Sequence, residues 1–163
     1  MHEAKLSQTE LESLLAVKDR QEIEELRRLY GKATDAIGRD TPHDIELGRH
    51  IYHRIFTPDV KIRTSNTGAD PLTASSPDGW VEVVHSALKD YTGTQHLIGT
   101  QIVVLDGDEA RMESYLNAWH KNPDGTVYLF LGTYIDLVRR TPDGWRIYDM
   151  ELRHDSSGTV QTQ

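Results

Sequence analysis

The chain has 163 residues, 37% hydrophobic and 27% charged, a size and composition that make one globular domain with one core. Lys and Arg total 18 against 26 Asp and Glu, a net charge of −8 with no basic run, which argues against a nucleic-acid partner. The absence of cysteine excludes disulfides, thiolate metal sites and a Cys nucleophile. No stretch approaches the roughly 20 apolar residues that span a bilayer, and Met1–Lys18 does not read as a secretory signal, so the expected compartment is the cytoplasm.

In chain order, Thr9 to Ile37 reads as a long helix. Thr9 with Glu12 forms one capping-box pattern, and Asp19 with Glu22 offers a second start, with a break near Val17 or Lys18. Ile23, Leu26, Tyr30, Ala33 and Ile37 repeat at three- and four-residue steps and make one apolar face. A shorter helix is expected over Asp44 to Phe56, ended by Thr57-Pro58, and Val60, Ile62 and Thr64 alternate as a short strand. Ser65 to Pro77 reads as a loop of a length often used for lids, and Asp78 caps a third helix running to about Tyr91.

The rest is β. Strands over Gln95–Leu105, Glu109–Lys121, Thr126–Arg140 and Trp145–His154 are separated by the turn signals Asp106-Gly107-Asp108, Asn122-Pro123-Asp124-Gly125 and Thr141-Pro142-Asp143-Gly144. Such a meander must curl to close over a core. The run Val127 to Ile135 is apolar almost throughout, so both its faces are expected to be covered, one of them by a second subunit, a lid or a tail. Helices first and strands afterwards give an α+β fold. The division expected is a single domain over 1–163, with an ordered core over about 10–154 and a loose tail over 155–163.

No phosphate loop, dinucleotide fingerprint, HExxH or Gly-x-Ser-x-Gly elbow is present. What remains is a set of histidines and carboxylates. His96 shares strand parity with Ile98, Ile102 and Val104, and His120 with Leu116 and Ala118. The hairpin around Gly107 pairs positions summing to about 214–216 and sets the two rings near each other. Each is either a core histidine satisfied by a carbonyl or a functional one. Asp35 lies roughly 140° around an ideal helix from Tyr30, which places it off the apolar face as a solvated carboxylate. Arg63 reads as a solvated strand arginine, and His50 and Tyr52-His53 as surface groups.

The pattern Ile23-x-x-Leu26, Tyr30, Asp35 and Asp40, then Phe56-Thr57-Pro58-Asp59-Val60, Thr94-Gln95-His96-Leu97-Ile98-Gly99 and Asp143-Gly144-Trp145-Arg146-Ile147, resembles the nuclear transport factor 2-like superfamily. Within it the match is to the SnoaL-like and scytalone dehydratase-like branch, over roughly residues 10 to 154. The resemblance implies a cystatin-like cone: a long N-terminal helix and two shorter helices against a strongly curved antiparallel sheet, with a pocket inside. It implies a cofactor-independent lyase or isomerase, dehydratase-like, acting on a small apolar cyclic or aromatic substrate. Asp35 and His96 correspond to its catalytic dyad and His120 to its second histidine. Two tyrosines that hold a substrate carbonyl in the dehydratase fall on Thr34 and Thr64 here, a departure that leaves the dyad intact.

In such a dyad the carboxylate fixes the imidazole tautomer, His96 takes a proton, and His120 protonates a leaving oxygen or binds an oxyanion. Tyr30, Tyr115, Asn117 and Tyr134 are the candidate pocket polars. Related lyases of aromatic breakdown expel formaldehyde by C–C cleavage, and other members of the superfamily are non-catalytic binding or assembly modules; both stand as alternatives. No cofactor and no metal is expected, although Asp35, His96 and His120 make a conceivable facial metal set. The partners expected are a small-molecule substrate and a second copy of the chain, a homodimer with a homotrimer as the alternative.

Overall fold

The computed structural model describes residues 6–161. Helix α1 spans Gln8–Ile37, α2 Pro42–Ile55 and α3 Pro77–Leu88; the strands are β1 (Phe56–Ser65), β2 (Thr73–Ala74), β3 (Gly93–Asp106), β4 (Glu109–Lys121), β5 (Val127–Thr141) and β6 (Gly144–Val160). Helix α1 begins two residues earlier than the Thr9–Glu12 pattern indicated. Ser7 is its N-cap, and Ser7 and Glu10 complete the capping box. It runs unbroken through Val17 and Lys18, and its leading part carries Leu11, Leu14, Leu15 and Val17 exposed. Thr41 caps α2 through the Asp44 amide. Ser76, not Asp78, caps α3 through Gly79.

The six strands form one open sheet in the order β2-β1-β6-β5-β4-β3. The three expected hairpins are all present and antiparallel. The sheet as a whole is mixed, because β1 lies parallel to β6. Strand β1 follows α2 directly at Phe56 and lies on the side of β6 away from β5. Part of the Ser65–Pro77 loop is also strand, with Thr73 and Ala74 pairing antiparallel to Ile62 and Arg63.

Two further expectations are corrected. Ser156 to Val160, read as a loose tail, continue β6 and pair with Val127 to Leu131. Without them that half of β5 would present an unpaired edge; Thr162 and Gln163 of the same tail lie outside the described residues. Strand β3 also has an irregularity between Gly99 and Ile102, with Thr100 at φ 43°. The bulge reverses the parity beyond it. Ile98 faces inward with His96 as expected, whereas Ile102 and Val104 are exposed and Gln101, Val103 and Leu105 turn inward.

The core lies between α1 and the sheet. All five residues of the predicted α1 face are buried, and they meet Phe56, Val60, Met112, Leu116, Ile147 and Met150 from the strands and Trp80 and Val84 from α3. Tyr52, read as a surface group, is wholly buried; it stacks on Tyr30 and packs edge-on to Phe56. Arg27 is also wholly buried, paired in a bidentate manner with Asp136 of β5, its guanidinium against the rings of Tyr30 and Tyr134. Burial works against that charge, but the Asp136 carboxylate outweighs it and lifts the Arg27 pKa above its ordinary range.

Candidate active site

A cavity of about 410 Å³ opens between α1, α3 and the inner face of β3, β4 and β5, within the size range of small-ligand sites. Its wall is mostly apolar, with Trp80, Val84, Leu116, Phe130 and Leu152 among its residues. Thr67, Ala69, Asp70 and Leu72, from the segment between β1 and β2, form part of the rim. Asn66 and His154 hold that segment to β6: the Asn66 amide donates to the His154 carbonyl at 2.8 Å, and the His154 ring returns a longer bond of 3.3 Å to the Asn66 carbonyl.

Asp35 is not a solvated carboxylate. Its Oδ1 lies 2.7 Å from Nδ1 of His96 and accepts from the Thr94 hydroxyl at 3.1 Å, while Oδ2 accepts from the His96 amide at 3.2 Å. The side chains of His96 and Asp35 are 8% and 17% exposed. The helical wheel fails here because α1 is buried over a wider arc than its apolar stripe. Strand β3 packs against the side that carries Gly31 and Asp35, and a Cβ at Gly31 would sit only 3.2 Å from the His96 carbonyl oxygen. Glycine at 31 lets the backbones approach, and one turn later Asp35 meets the imidazole. A carboxylate only accepts, so Nδ1 of His96 carries the proton, and Nε2 is left as a lone pair on the cavity wall.

His120 lies diagonally across the ladder, its ring centroid 5.5 Å from that of His96. Its Nδ1 donates to the Tyr128 carbonyl at 3.3 Å. Burial, with the neighbouring His96 adding to it, pushes its pKa down to about 4, so the ring is neutral at pH 7. In this structure its Nδ1–H is engaged by that carbonyl, and the ring lies on the cavity wall beside His96.

The remaining predicted residues divide by face. Tyr30, Thr34, Thr64 and Tyr134 line the cavity with the histidines. The Tyr30 hydroxyl accepts from the Trp80 indole at 3.1 Å; that of Thr34 donates to the Tyr30 carbonyl and accepts from Tyr52; that of Thr64 accepts from the Leu72 amide. Tyr115 and Asn117 do not belong to the site. They alternate with Leu116 and Ala118 on β4 and project from the outer face of the sheet. Arg63 is held by Asp149 and Glu151, and His53 by Asp78 on the surface. The conceivable metal set is not assembled, because Asp35 is spent on His96 Nδ1; no three metal-ligating groups converge among the described residues.

Two tyrosines of the wall were not anticipated. Tyr128 is directly cross-strand from His120, and Tyr91, just beyond α3, packs its ring 5.0 Å from the same imidazole. The first was readable: folding the chain about the Asn122–Gly125 turn places 128 opposite 120. Tyr91 had no comparable signal, since its position depends on how α3 docks.

Three helices packed on one open six-stranded sheet, with a cavity between, make an α+β fold of the cystatin-like kind. The chain belongs to the SnoaL-like domain family, whose model matches residues 16–151. It is 31% identical over 137 residues to the uncharacterized protein Rv2910c of Mycobacterium tuberculosis, covering 83% of this chain and 84% of that one. An NTF2-like protein with a cystatin-like fold from Novosphingobium aromaticivorans superposes with a TM-score of 0.71 at 23% identity, over 93% of this chain and 92% of that one. The hexachlorocyclohexane dehydrochlorinase LinA-type3 of Novosphingobium barchaimii superposes with a TM-score of 0.73 at 12% identity, over 91% and 94% of the two chains. At these identities the two superpositions establish the fold alone.

Proposed function

We propose that the protein is a cofactor-independent lyase or isomerase in which His96, held by Asp35, removes a proton from a small, mostly apolar cyclic or aromatic substrate. The observation that carries this reading is the 2.7 Å contact between Asp35 Oδ1 and His96 Nδ1 at the wall of an apolar cavity. The carboxylate orients the ring, stabilises the imidazolium as it forms and leaves Nε2 facing the space where a substrate would lie. A dehydrochlorinase among the structural neighbours supports an elimination, since loss of HCl or of water begins with the same abstraction.

The test is a panel of cyclic alcohols, ketones and halides incubated with the protein in D2O and followed by NMR. Deuterium entering a substrate C–H, or appearance of an alkene, is expected with the wild type and is lost in His96→Ala and Asp35→Asn. Formaldehyde in the same mixtures, from substrates bearing a hydroxymethyl group, would move the reading to C–C cleavage. Exchange that survives in His96→Ala would refute the assignment of the base, and binding without exchange in any member would point to a non-catalytic module.

We infer in addition that the chain pairs through the outer face of its sheet. Leu97, Ile102 and Val104 of β3, Tyr115 of β4 and Leu131 of β5 are exposed there in the single chain, an apolar face of the kind a second subunit covers. Light scattering is expected to give a dimer; a trimer would change the symmetry, and a monomer would refute the inference.

A further inference from the structure

Strand β3 approaches the last two turns of α1 closely, and two glycines make room for it. A Cβ at Gly31 would lie 3.2 Å from the His96 carbonyl oxygen, and one at Gly38 would lie 3.1 Å from the Thr94 hydroxyl. Gly38 has ordinary helical dihedrals (φ −64°, ψ −15°), so its backbone does not call for glycine; what it supplies is space. Asp35 sits between the two glycines, and its carboxylate takes three hydrogen bonds from β3. The His96 imidazole at 2.7 Å and the Thr94 hydroxyl at 3.1 Å both donate to Oδ1, and the His96 amide donates to Oδ2. Of these three residues only His96 lines the cavity; Asp35 and Thr94 lie behind it.

A second donor on the oxygen that holds the imidazole has two physical effects. It fixes the rotation of the carboxylate, because Oδ1 is then bonded from two sides while Oδ2 is bonded by the backbone. It also draws charge from Oδ1, which weakens the pull of that oxygen on the Nδ1 proton and on an imidazolium once formed. Both effects need the hydroxyl of Thr94 and neither needs its methyl group. Two other charged or titratable groups face the dyad. His120 of β4 is directly cross-strand from Thr94, and Arg39, just past α1, is stabilised by the Asp35 charge. Their own bonds go elsewhere, to the Tyr128 carbonyl and to Asp44. Thr94 is thus the one side chain besides His96 that bonds the Asp35 carboxylate among the described residues.

Building on the base assigned above, we propose that Thr94 is a positioning residue: its hydroxyl holds Asp35 with Oδ1 toward His96 and sets how strongly that carboxylate draws on the imidazole. It acts through Asp35 and touches no substrate. Gly38 belongs to the same device, since a side chain there would press on the hydroxyl.

The experiment compares Thr94→Val, which keeps the shape and removes the hydroxyl, with Thr94→Ser, which keeps the hydroxyl and removes the methyl, in the full chain. The first readout needs no substrate: a pH titration of ¹⁵N-labelled histidine followed by NMR. In Thr94→Val the midpoint for His96 is expected to rise by about half a pH unit, the effect of one lost hydrogen bond of ordinary strength. In Thr94→Ser it should stay within about 0.2 of the wild type. Thr94→Ala, which also lacks the hydroxyl, should follow Thr94→Val. The second readout is proton exchange on any substrate the panel yields: kcat is expected to fall about tenfold in Thr94→Val with KM unchanged, and to be restored in Thr94→Ser. A threonine that only packs would tolerate valine and move neither readout. An unmoved or lowered midpoint in both Thr94→Val and Thr94→Ala, or a rise that Thr94→Ser shares, overturns the proposal with no substrate in hand; exchange by Thr94→Val at the wild-type rate overturns it as well. The two readings separate. If the midpoint moves as expected but the wild type exchanges no probe, the base assigned above falls and the hold of Thr94 on Asp35 stands. If His96→Ala abolishes exchange while Thr94→Val changes nothing, the base stands and the role given to Thr94 falls.

Discussion

Replacing Asp35 by asparagine exchanges two acceptor oxygens for one acceptor and one donor at a point where three donors converge: the His96 imidazole and the Thr94 hydroxyl on Oδ1, and the His96 amide on Oδ2. The backbone N–H cannot change its character, so the amide oxygen must face it and the new NH2 must face the imidazole. The Thr94 hydroxyl can rotate to accept from that NH2, and the imidazole can move its proton from Nδ1 to Nε2. His96 is then expected to present N–H to the cavity in place of a lone pair. Losing charge-assisted bonds of about 1.5–3 kcal/mol each, and recovering weaker neutral ones, should lower stability by about 2 kcal/mol. A base in the wrong tautomer should lower proton abstraction by about 10⁴-fold, as when the triad aspartate of a serine protease becomes an amide. Two-dimensional ¹⁵N NMR of labelled histidine reads the tautomer with no substrate, and urea denaturation reads the stability. If His96 keeps its proton on Nδ1 in Asp35→Asn and stability changes by less than about 0.5 kcal/mol, the carboxylate does not hold the ring and the reasoning fails.

Three further expectations follow from other parts of the fold. His120 has a folded-state pKa of about 4 against an ordinary value of 6.5, so the unfolded chain binds more protons between those values. Its contribution is whole above pH 6.5 and is lost as pH falls toward about 4, on the order of 2–3 kcal/mol. The difference in urea stability between pH 7 and pH 4.5 should be smaller in His120→Phe than in the wild type, and parallel losses would refute it. Asp136→Asn strands the Arg27 charge in the core and is expected to cost about 3–5 kcal/mol by denaturation, while the paired change Arg27→Met with Asp136→Leu recovers most of that; a mild effect of the single change would mean that water reaches the pair. Thr100 is β-branched at φ 43°, so Thr100→Gly should stabilise by about 1 kcal/mol in thermal unfolding, and destabilisation would show that the bulge depends on the side chain.

The parts of the fold legible in the sequence are those set by local chemistry. The turn residues at Asp106-Gly107, Asn122–Gly125 and Thr141–Gly144 place three hairpins, and the 3.6-residue repeat from Ile23 to Ile37 places the buried face of α1. What escaped depends on contacts between distant segments. The wheel set Asp35 in solvent because it has no knowledge of β3 passing over Gly31. Parity through β3 failed at a bulge marked by neither glycine nor proline but by a threonine in the left-handed region. Ser156 to Val160 have no apolar alternation of their own and become strand because the open edge of Val127–Leu131 recruits them. The face of Tyr115 and Asn117 was readable, since odd positions on β4 oppose the even ones that carry His120. The Asp35–His96 contact itself came from the family resemblance, which carries the three-dimensional information that periodicity lacks.

The cavity has two walls of unequal standing. On one side Tyr30, Tyr134, Leu116 and Ala118 belong at once to the cavity and to the interior that holds the fold together. On the other side Val83 and Ala87 of α3, with Tyr91 just beyond it, and Thr67, Ala69 and Asp70 at the rim are half-buried or exposed. A substitution on the first wall is selected first for whether the protein still folds; one on the second is free to be selected for what the cavity holds. Descendants of this chain that acquire new substrates should therefore diverge along α3 and the segment before β2, while the sheet and the inner face of α1 stay nearly frozen. Library design for altered specificity has the same natural boundary.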